Sequence, residues 1–284
     1  MKMRLTFRSG IPVLLGLIVV GFLTNSIRAS LLQGEIVSWP SRNSVVVALA
    51  ATGLGLWAAS TAWLAILGER GAGHRVDFLT AQLGKYLPGG VWQPLGQMGL
   101  SASRDVPGTR TLSAIGTYAV FQIIAGTLLL PILVVDSHLP PWVKMSSVGI
   151  AVLAVLVLWR ADAWSTWLMK FRRTQRVEVV VQQLAAARRP EIIGLLAANM
   201  ALQGVAFWAL VGWSLGLSVV GAYSAAWIIG FLAVPFPAGL GIREGVLMAV
   251  LPLASAQIVT ASVLQRVVAA ITELSFVAAS RVSR

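Results

Sequence analysis

The chain alternates long apolar runs with short charged stretches, and two of its apolar regions are interrupted by clusters of glycine and proline. Ile11–Ile27, Ser44–Leu67, Thr111–Val135, Val143–Trp159, Ile192–Leu217 and Ile258–Ser280 each read as a membrane-crossing helix. At 1.5 Å per residue, the roughly 24 residues of Ser44–Leu67 cover the hydrocarbon layer with some tilt. Lys2, Arg4 and Arg8 precede the first run and suit a cytoplasmic start; its short apolar core also fits a cleaved signal peptide.

The interrupted regions are Asp77–Leu95, with GKYLPGGVWQPLGQ from Gly84 to Gln97, and Tyr223–Leu253, with PFPAGLGIREG from Pro235 to Gly245. Proline and glycine break helices, and backbone groups freed at membrane depth are tolerated only inside protein or around a wet cavity. Both regions are therefore expected to be re-entrant, with a polar site between them. The fold expected is all-α: a polytopic membrane helical bundle of about six spans plus two re-entrant broken-helix segments, forming one domain over residues 1–284.

Composition narrows this further. The chain is 57% hydrophobic and 11% charged, with a mean hydropathy of +0.81, which excludes the soluble class. Its formal charge of +12 would suggest nucleic acid in a soluble protein. Here the distribution of basic residues explains it instead, so no nucleic-acid partner is expected. With both termini cytoplasmic, seventeen of the 22 Lys and Arg residues fall inside, and only Arg28, Arg42 and Lys144 fall outside. Arg243 and Arg266 are left within the membrane. This orientation, in an inner (plasma) membrane, brings the first broken segment in from the cytoplasm and the second from outside. An inverted structural repeat would give that arrangement, with a site near the midplane, although no residue-by-residue repeat is visible.

The most basic stretch, 160–190, carries Arg160, Lys170, Arg172, Arg173, Arg176, Arg188 and Arg189. It reads as a topology-setting cytoplasmic loop, or as an amphipathic surface helix presenting Trp164, Trp167, Leu168 and Phe171.

Little in the chain suggests catalysis. There is no cysteine, and His74 and His138 lie far apart in expected loops, so no metal or cofactor is expected. Phosphate-loop, GxSxG and HExxH patterns are missing. Transport, if it occurs, is then passive, ion-coupled or driven by a partner.

The candidate binding residues are Lys85, Tyr86, Trp92 and Gln93 at the first break, Arg243 and Glu244 at the second, and Arg266 and Glu273 on the last span. Pro88, Gly89 and Gly90 stop the first helix, while Pro235, Pro237, Gly239 and Gly241 do the same at the second. Lys85 either receives an anionic head group or snorkels to the inner interface. Glu244 suits the first turn of a helix, and Arg243 offers a fork of donors that fits phosphate. Arg266 and Glu273, seven residues apart, share a helical face, as an ion pair or as the charged wall of a pathway. Asn199 and Gln203 are expected to be interhelical glue or cavity lining, and Gly212 with Gly216 reads as a GxxxG packing motif.

YLPGGVWQ preceded by GK, followed some 150 residues later by PAGLGIREG, resembles the paired signatures of the lysylphosphatidylglycerol synthase transmembrane-region family, also called the flippase-like or YbhN-like family. The resemblance implies a polytopic domain that moves lipids between leaflets or assists enzymes making lipid-linked sugars and surface polymers. It places Lys85, Tyr86, Pro88, Gly89 and Trp92 in one family element, and Pro237, Gly239, Gly241, Arg243 and Glu244 in the other. The namesake synthases carry a soluble aminoacyl-transferase domain after the membrane part; Arg284 closely follows the final helix here, so lipid aminoacylation is not expected.

The leading expectation is a non-enzymatic lipid flippase for an anionic phospholipid or a polyprenyl-phosphate-linked glycan. The alternatives are a scaffold subunit for a glycosyltransferase or cell-surface polymer assembly, and a membrane-embedded lipid-linked sugar transferase.

Overall fold

The computed structural model describes residues 39–86, 91–135, 138–160, 190–213, 215–233 and 241–282. The expected span Ile11–Ile27, the basic stretch 161–189, and Pro88, Gly89, Gly90, Pro235, Pro237 and Gly239 lie outside them. Nine α-helices make up the described residues, with no strand among them. They are α1 (Arg42–Leu67), α2 (Ala72–Gln82), α3 (Trp92–Ala102), α4 (Gly108–Thr127), α5 (Pro141–Trp159), α6 (Pro190–Leu210), α7 (Ser218–Leu232), α8 (Ile242–Val250) and α9 (Ser255–Val282). Single 3-10 turns follow α2, at Leu83–Tyr86, and α4, at Leu130–Val135. Five segments are long and apolar enough to cross a membrane: α1, α4 with its 3-10 turn, α5, α6 and α9. The chain is a multi-pass membrane protein.

Local chemistry sets the helix ends. Ser41 caps α1 by accepting the Ser44 amide at 3.1 Å, and Gly68 closes it in the left-handed region at φ 74°, its N–H returning to the Leu64 carbonyl. Pro140 and Pro141 open α5, where a missing N–H costs nothing.

Two expected spans are shorter than the apolar runs. The run Thr111–Val135 leaves the α-helix at Thr127, because Pro131 has no N–H for the next i→i−4 bond and its ring collides with the carbonyl four residues back. The run Ile192–Leu217 ends as helix at Leu210, and Gly212 (φ 84°) with Trp213 (φ 60°) turns the chain out of it. Gly212 is thus a turn residue, and a Cβ at Gly212 or Gly216 would meet nothing within 4 Å. The expected GxxxG packing motif is corrected accordingly. His74, expected in a loop, lies on α2 with Nε2 3.9 Å from a Glu69 carboxylate oxygen.

The bundle has two apolar cores, one towards each end. In the first, Ala48 and Ala51 of α1 meet Phe207 and Leu210 of α6, Ala222 and Tyr223 of α7, Leu247 of α8, and Ile258 and Ala261 of α9. In the second, Leu56–Leu67 of α1 meets Phe78 and Leu79 of α2, Phe121 of α4, Ile192 and Leu196 of α6, and Val277 of α9. Low numbers on α1 pair with high numbers on α6 and low numbers on α9, so α6 runs antiparallel to α1 while α9 runs parallel to it. The α1–α6 interface is the most extensive among the described helices. It closes on Gly55, where a Cβ would stand 3.0 Å from Asn199 Oδ1 and 3.5 Å from Gln203 Nε2.

The polarity is inverted relative to a water-soluble bundle. On α9, Ser262, Gln265, Thr272 and Glu273 are buried while Val263, Val267, Ile271 and Leu274 are exposed. On α4, Thr111, Ser113, Thr117 and Gln122 are buried and Leu112 and Val120 face out. Even the short α3 turns Gln97 and Ser101 inward and Trp92 and Leu95 outward. In water such surfaces would aggregate; in hydrocarbon the polar groups must find partners inside the bundle.

Candidate functional site

Two helical hairpins dock on α9, one in each core. The first is α2–α3. A Cβ on Gly84 would lie 2.7 Å from the Gln93 amide nitrogen, one on Gly96 sits 3.7 Å from Ala81, and one on Gly73 would lie 2.5 Å from Arg104. Those pairings fix two antiparallel arms. The stack of Trp63 on Phe78 (centroids 5.6 Å) and the bond from Arg75 Nη2 to Thr61 Oγ1 (3.3 Å) lay α2 back along α1. At the base of the hairpin Arg104 pairs with Asp77, and that hydrogen bond raises the guanidinium above its ordinary value. At the apex Gln93 Nε2 donates to Gln82 Oε1 at 3.1 Å, Tyr86 ends the 3-10 turn, and Trp92 opens α3. Trp92 borders a shallow cavity of about 340 Å³ between the arms, with Thr80, Ala81, Gly84 and Leu95.

The second hairpin is α7–α8. Gly221 packs on Leu133 and Gly126 on Ile228, so α7 runs back alongside α4. Gly230 lies so close to α8 that a Cβ there would stand 2.5 Å from Arg243 Cγ. Gly241, at φ 80°, holds the left-handed turn from which α8 starts.

The apex of each hairpin meets α9 through an ion pair. Lys85 donates to Glu273 Oε1, and Arg266 Nη2 donates to Glu244 Oε1 at 2.7 Å. Arg266 and Glu273 share a face, as expected, but seven residues at 1.5 Å separate them by about 10.5 Å along the axis. Each therefore crosses to a different hairpin and neither pairs with the other. The described helices of the two hairpins share no extensive interface; α4 and α9 each pack against both.

The two acids differ. Glu244 is 2% exposed and uses both oxygens, since Oε2 also accepts the Gly241 amide at 2.8 Å. It is a first-turn carboxylate and a counter-ion at once. Glu273 is completely buried, and its Oε2 has no hydrogen-bond partner among the described residues.

Arg243 forms no ion pair with its neighbour Glu244, in keeping with adjacent helical positions not facing each other. Its guanidinium lies over the Trp227 ring, 5.8 Å from the centroid, and its Nε is buried with no acceptor among the described residues. Tyr223 on α7, Arg266 and Glu244 lie within electrostatic reach. Lys85, Arg243 and Arg266 stand against Glu244 and Glu273, so one positive charge is left over, and the geometry places it on Arg243.

Asn199 and Gln203 are interhelical contacts: both cover Gly55, and the Gln203 carbonyl accepts Gln265 Nε2 at 2.8 Å. Sequence reasoning missed Tyr223, Trp227 and Gln265, which border the second pair. The signal for the first two was there, since Tyr223, Trp227 and Phe231 follow one another at one-turn spacing on an apolar segment. Among the described residues no cluster of His, Asp or Glu could hold a metal ion. Compared with known proteins, the chain matches no family model, and no curated protein aligns with it significantly.

Proposed function

We propose that this protein moves an anionic lipid, a phospholipid or a polyprenyl-phosphate-linked glycan, across an inner membrane, using the charged face of α9 and the two hairpins docked on it. The observation that carries this reading is the guanidinium of Arg243, half-buried among apolar helices with no ion-pair partner and no acceptor for its Nε among the described residues, while Glu244, within electrostatic reach, is held by Arg266 and the Gly241 amide. Ionisable groups are kept in such places for function, and an arginine fork fits a phosphate. Trp227 and Tyr223 flank that position, and the surrounding apolar surfaces suit acyl or prenyl tails.

In this reading both hairpins are re-entrant, α2–α3 from the cytoplasm and α7–α8 from outside. Three observations support it. Each hairpin folds back along a spanning helix, they sit in opposite cores, and α3 exposes its apolar face. The order span, hairpin, span occurs twice, as α1–(α2–α3)–α4 and α6–(α7–α8)–α9, with α1 and α6 antiparallel. That is the pattern of an inverted repeat. It also agrees with the resemblance of the two break motifs to the flippase-like family.

Vesicles containing only the purified protein and a fluorescent phosphatidylglycerol test the proposal through the rate at which label becomes accessible to external quencher. Wild type should equilibrate the leaflets, and Arg243→Ala should reduce the rate at least tenfold while remaining folded. Absence of flipping by the wild type would overturn the transporter reading and favour the scaffold; unchanged flux in the variant would remove Arg243 from the site.

A further inference from the structure

We propose that Glu273 is the proton-coupling group of this site, taking up a proton when Lys85 turns from it to a lipid phosphate. This rests on the lipid reading above, takes Arg243 and Lys85 as successive stations of one phosphate at the two hairpins, and names the ion that accompanies the lipid when it stands at Lys85.

The argument starts from the inequality of the two buried acids. Glu244 is saturated, one oxygen held by Arg266 and the other by the Gly241 amide. Glu273 has a single partner, Lys85, and its second oxygen is buried without one among the described residues. Its charge therefore depends on the position of one ammonium. That ammonium sits on a four-residue 3-10 turn at a hairpin apex, on a side chain 32% exposed, so it can turn to another anion without unpacking a helix.

Among the described residues no other cation is placed to take over. Arg266 is two turns away and engaged by Glu244. Elsewhere on α9 the only ionisable residue is Arg281, two turns further on. The ionisable residues of α1 and α6 are limited to Arg42 and Glu191 at their starts. On α2, His74 lies by Glu69, Arg75 reaches Thr61 and Trp57, and Asp77 holds Arg104. On α8, Arg243 lies over Trp227.

When Lys85 binds phosphate, Glu273 would be left as a buried carboxylate with neither oxygen paired. Such a charge is strongly disfavoured, and proton uptake removes it. The charges balance: Lys85 keeps its proton and pairs with one phosphate negative charge, while Glu273 passes from carboxylate to neutral acid. One proton thus enters for each phosphate charge, and the site keeps the same net charge loaded or empty. By linkage, lipid then binds more tightly as pH falls.

Purified protein in weakly buffered phosphatidylcholine nanodiscs, with phosphatidylglycerol added in steps and a pH indicator in solution, tests this. Wild type should take up about one proton per bound phosphatidylglycerol, with an affinity that rises as pH falls. Glu273→Gln, which imitates the protonated acid, should bind without uptake and with an affinity independent of pH. Binding by the wild type without proton uptake would overturn the coupling inference alone, a result that needs no variant to fold. Uptake retained in Glu273→Gln would also overturn it. No binding of phosphatidylglycerol at any pH would overturn the lipid reading and the inference with it.

Discussion

Removing either member of the Lys85–Glu273 pair should destabilise the fold, but unequally. Lys85→Met strands a carboxylate that is completely buried and already has one unpaired oxygen. Breaking a buried pair from that side costs on the order of 3–5 kcal/mol. Glu273→Gln leaves an ammonium on a side chain 32% exposed, and the new amide oxygen can still accept from it. The loss there is nearer one ordinary hydrogen bond, about 1–2 kcal/mol. The double variant Lys85→Met/Glu273→Gln carries no stranded charge, so it should be no less stable than Glu273→Gln by more than about 1 kcal/mol. The assay is denaturant unfolding in detergent micelles followed by tryptophan fluorescence, for which the chain's 11 tryptophans suffice. The expected outcome is a large deficit for Lys85→Met that the second substitution rescues. Two single variants of equal cost, or single costs that add to within about 0.5 kcal/mol in the double variant, would refute the buried pair.

Two further outcomes follow from backbone contacts. Gly84→Ala forces a Cβ to 2.7 Å from the Gln93 amide nitrogen and should cost about 1–3 kcal/mol by prising the first hairpin apart. Gly99→Ala on the same hairpin meets nothing within 4 Å and should be neutral or slightly stabilising in the same unfolding assay; equal effects would show that the arms are not in contact at Gly84. Gly241→Ala places a side chain at φ 80° and should cost about 1–2 kcal/mol, whereas Gly245→Ala within α8 has open space and should not; similar losses would argue against the left-handed turn that starts α8.

The apolar runs showed where helices would be because length and hydropathy are local properties. Four of the predicted spans, beginning at Ser44, Thr111, Val143 and Ile258, recur with ends displaced by only a few residues, apart from the α-helix stop imposed by Pro131. Where the reading overran, at Ile192–Leu217, hydropathy continued through a turn that Gly212 had already made. Hydropathy averages cannot register one residue in the left-handed region. The candidate charges were equally legible, since an ionisable residue in an apolar run stands out. Their partners were not. The spacing of Arg266 and Glu273 announced a shared face but could not say that each would reach across to a different hairpin, because that depends on α9 passing between both cores.

The function of α9 follows from that position. An apolar helix that packs both hairpins is already required by the two cores, and any charge on its inward face must be matched from the hairpins or stay unpaired in hydrocarbon. Arg266 and Glu273 each recruit one opposite charge, which fixes the register of both hairpin apices against the same helix. Arg243 adds a third cation beside the second pair, with no third acid beside it among the described residues. A bundle built for stability alone would do better with an aliphatic residue there, since even half-burying a guanidinium with no acceptor for its Nε among the described residues is costly. Its retention beside a saturated Glu244 is understandable if its counter-ion comes and goes. A ligand that supplies one negative charge and a large apolar surface is the simplest match to such a vacancy in the charge balance, and an anionic lipid has both properties in one molecule.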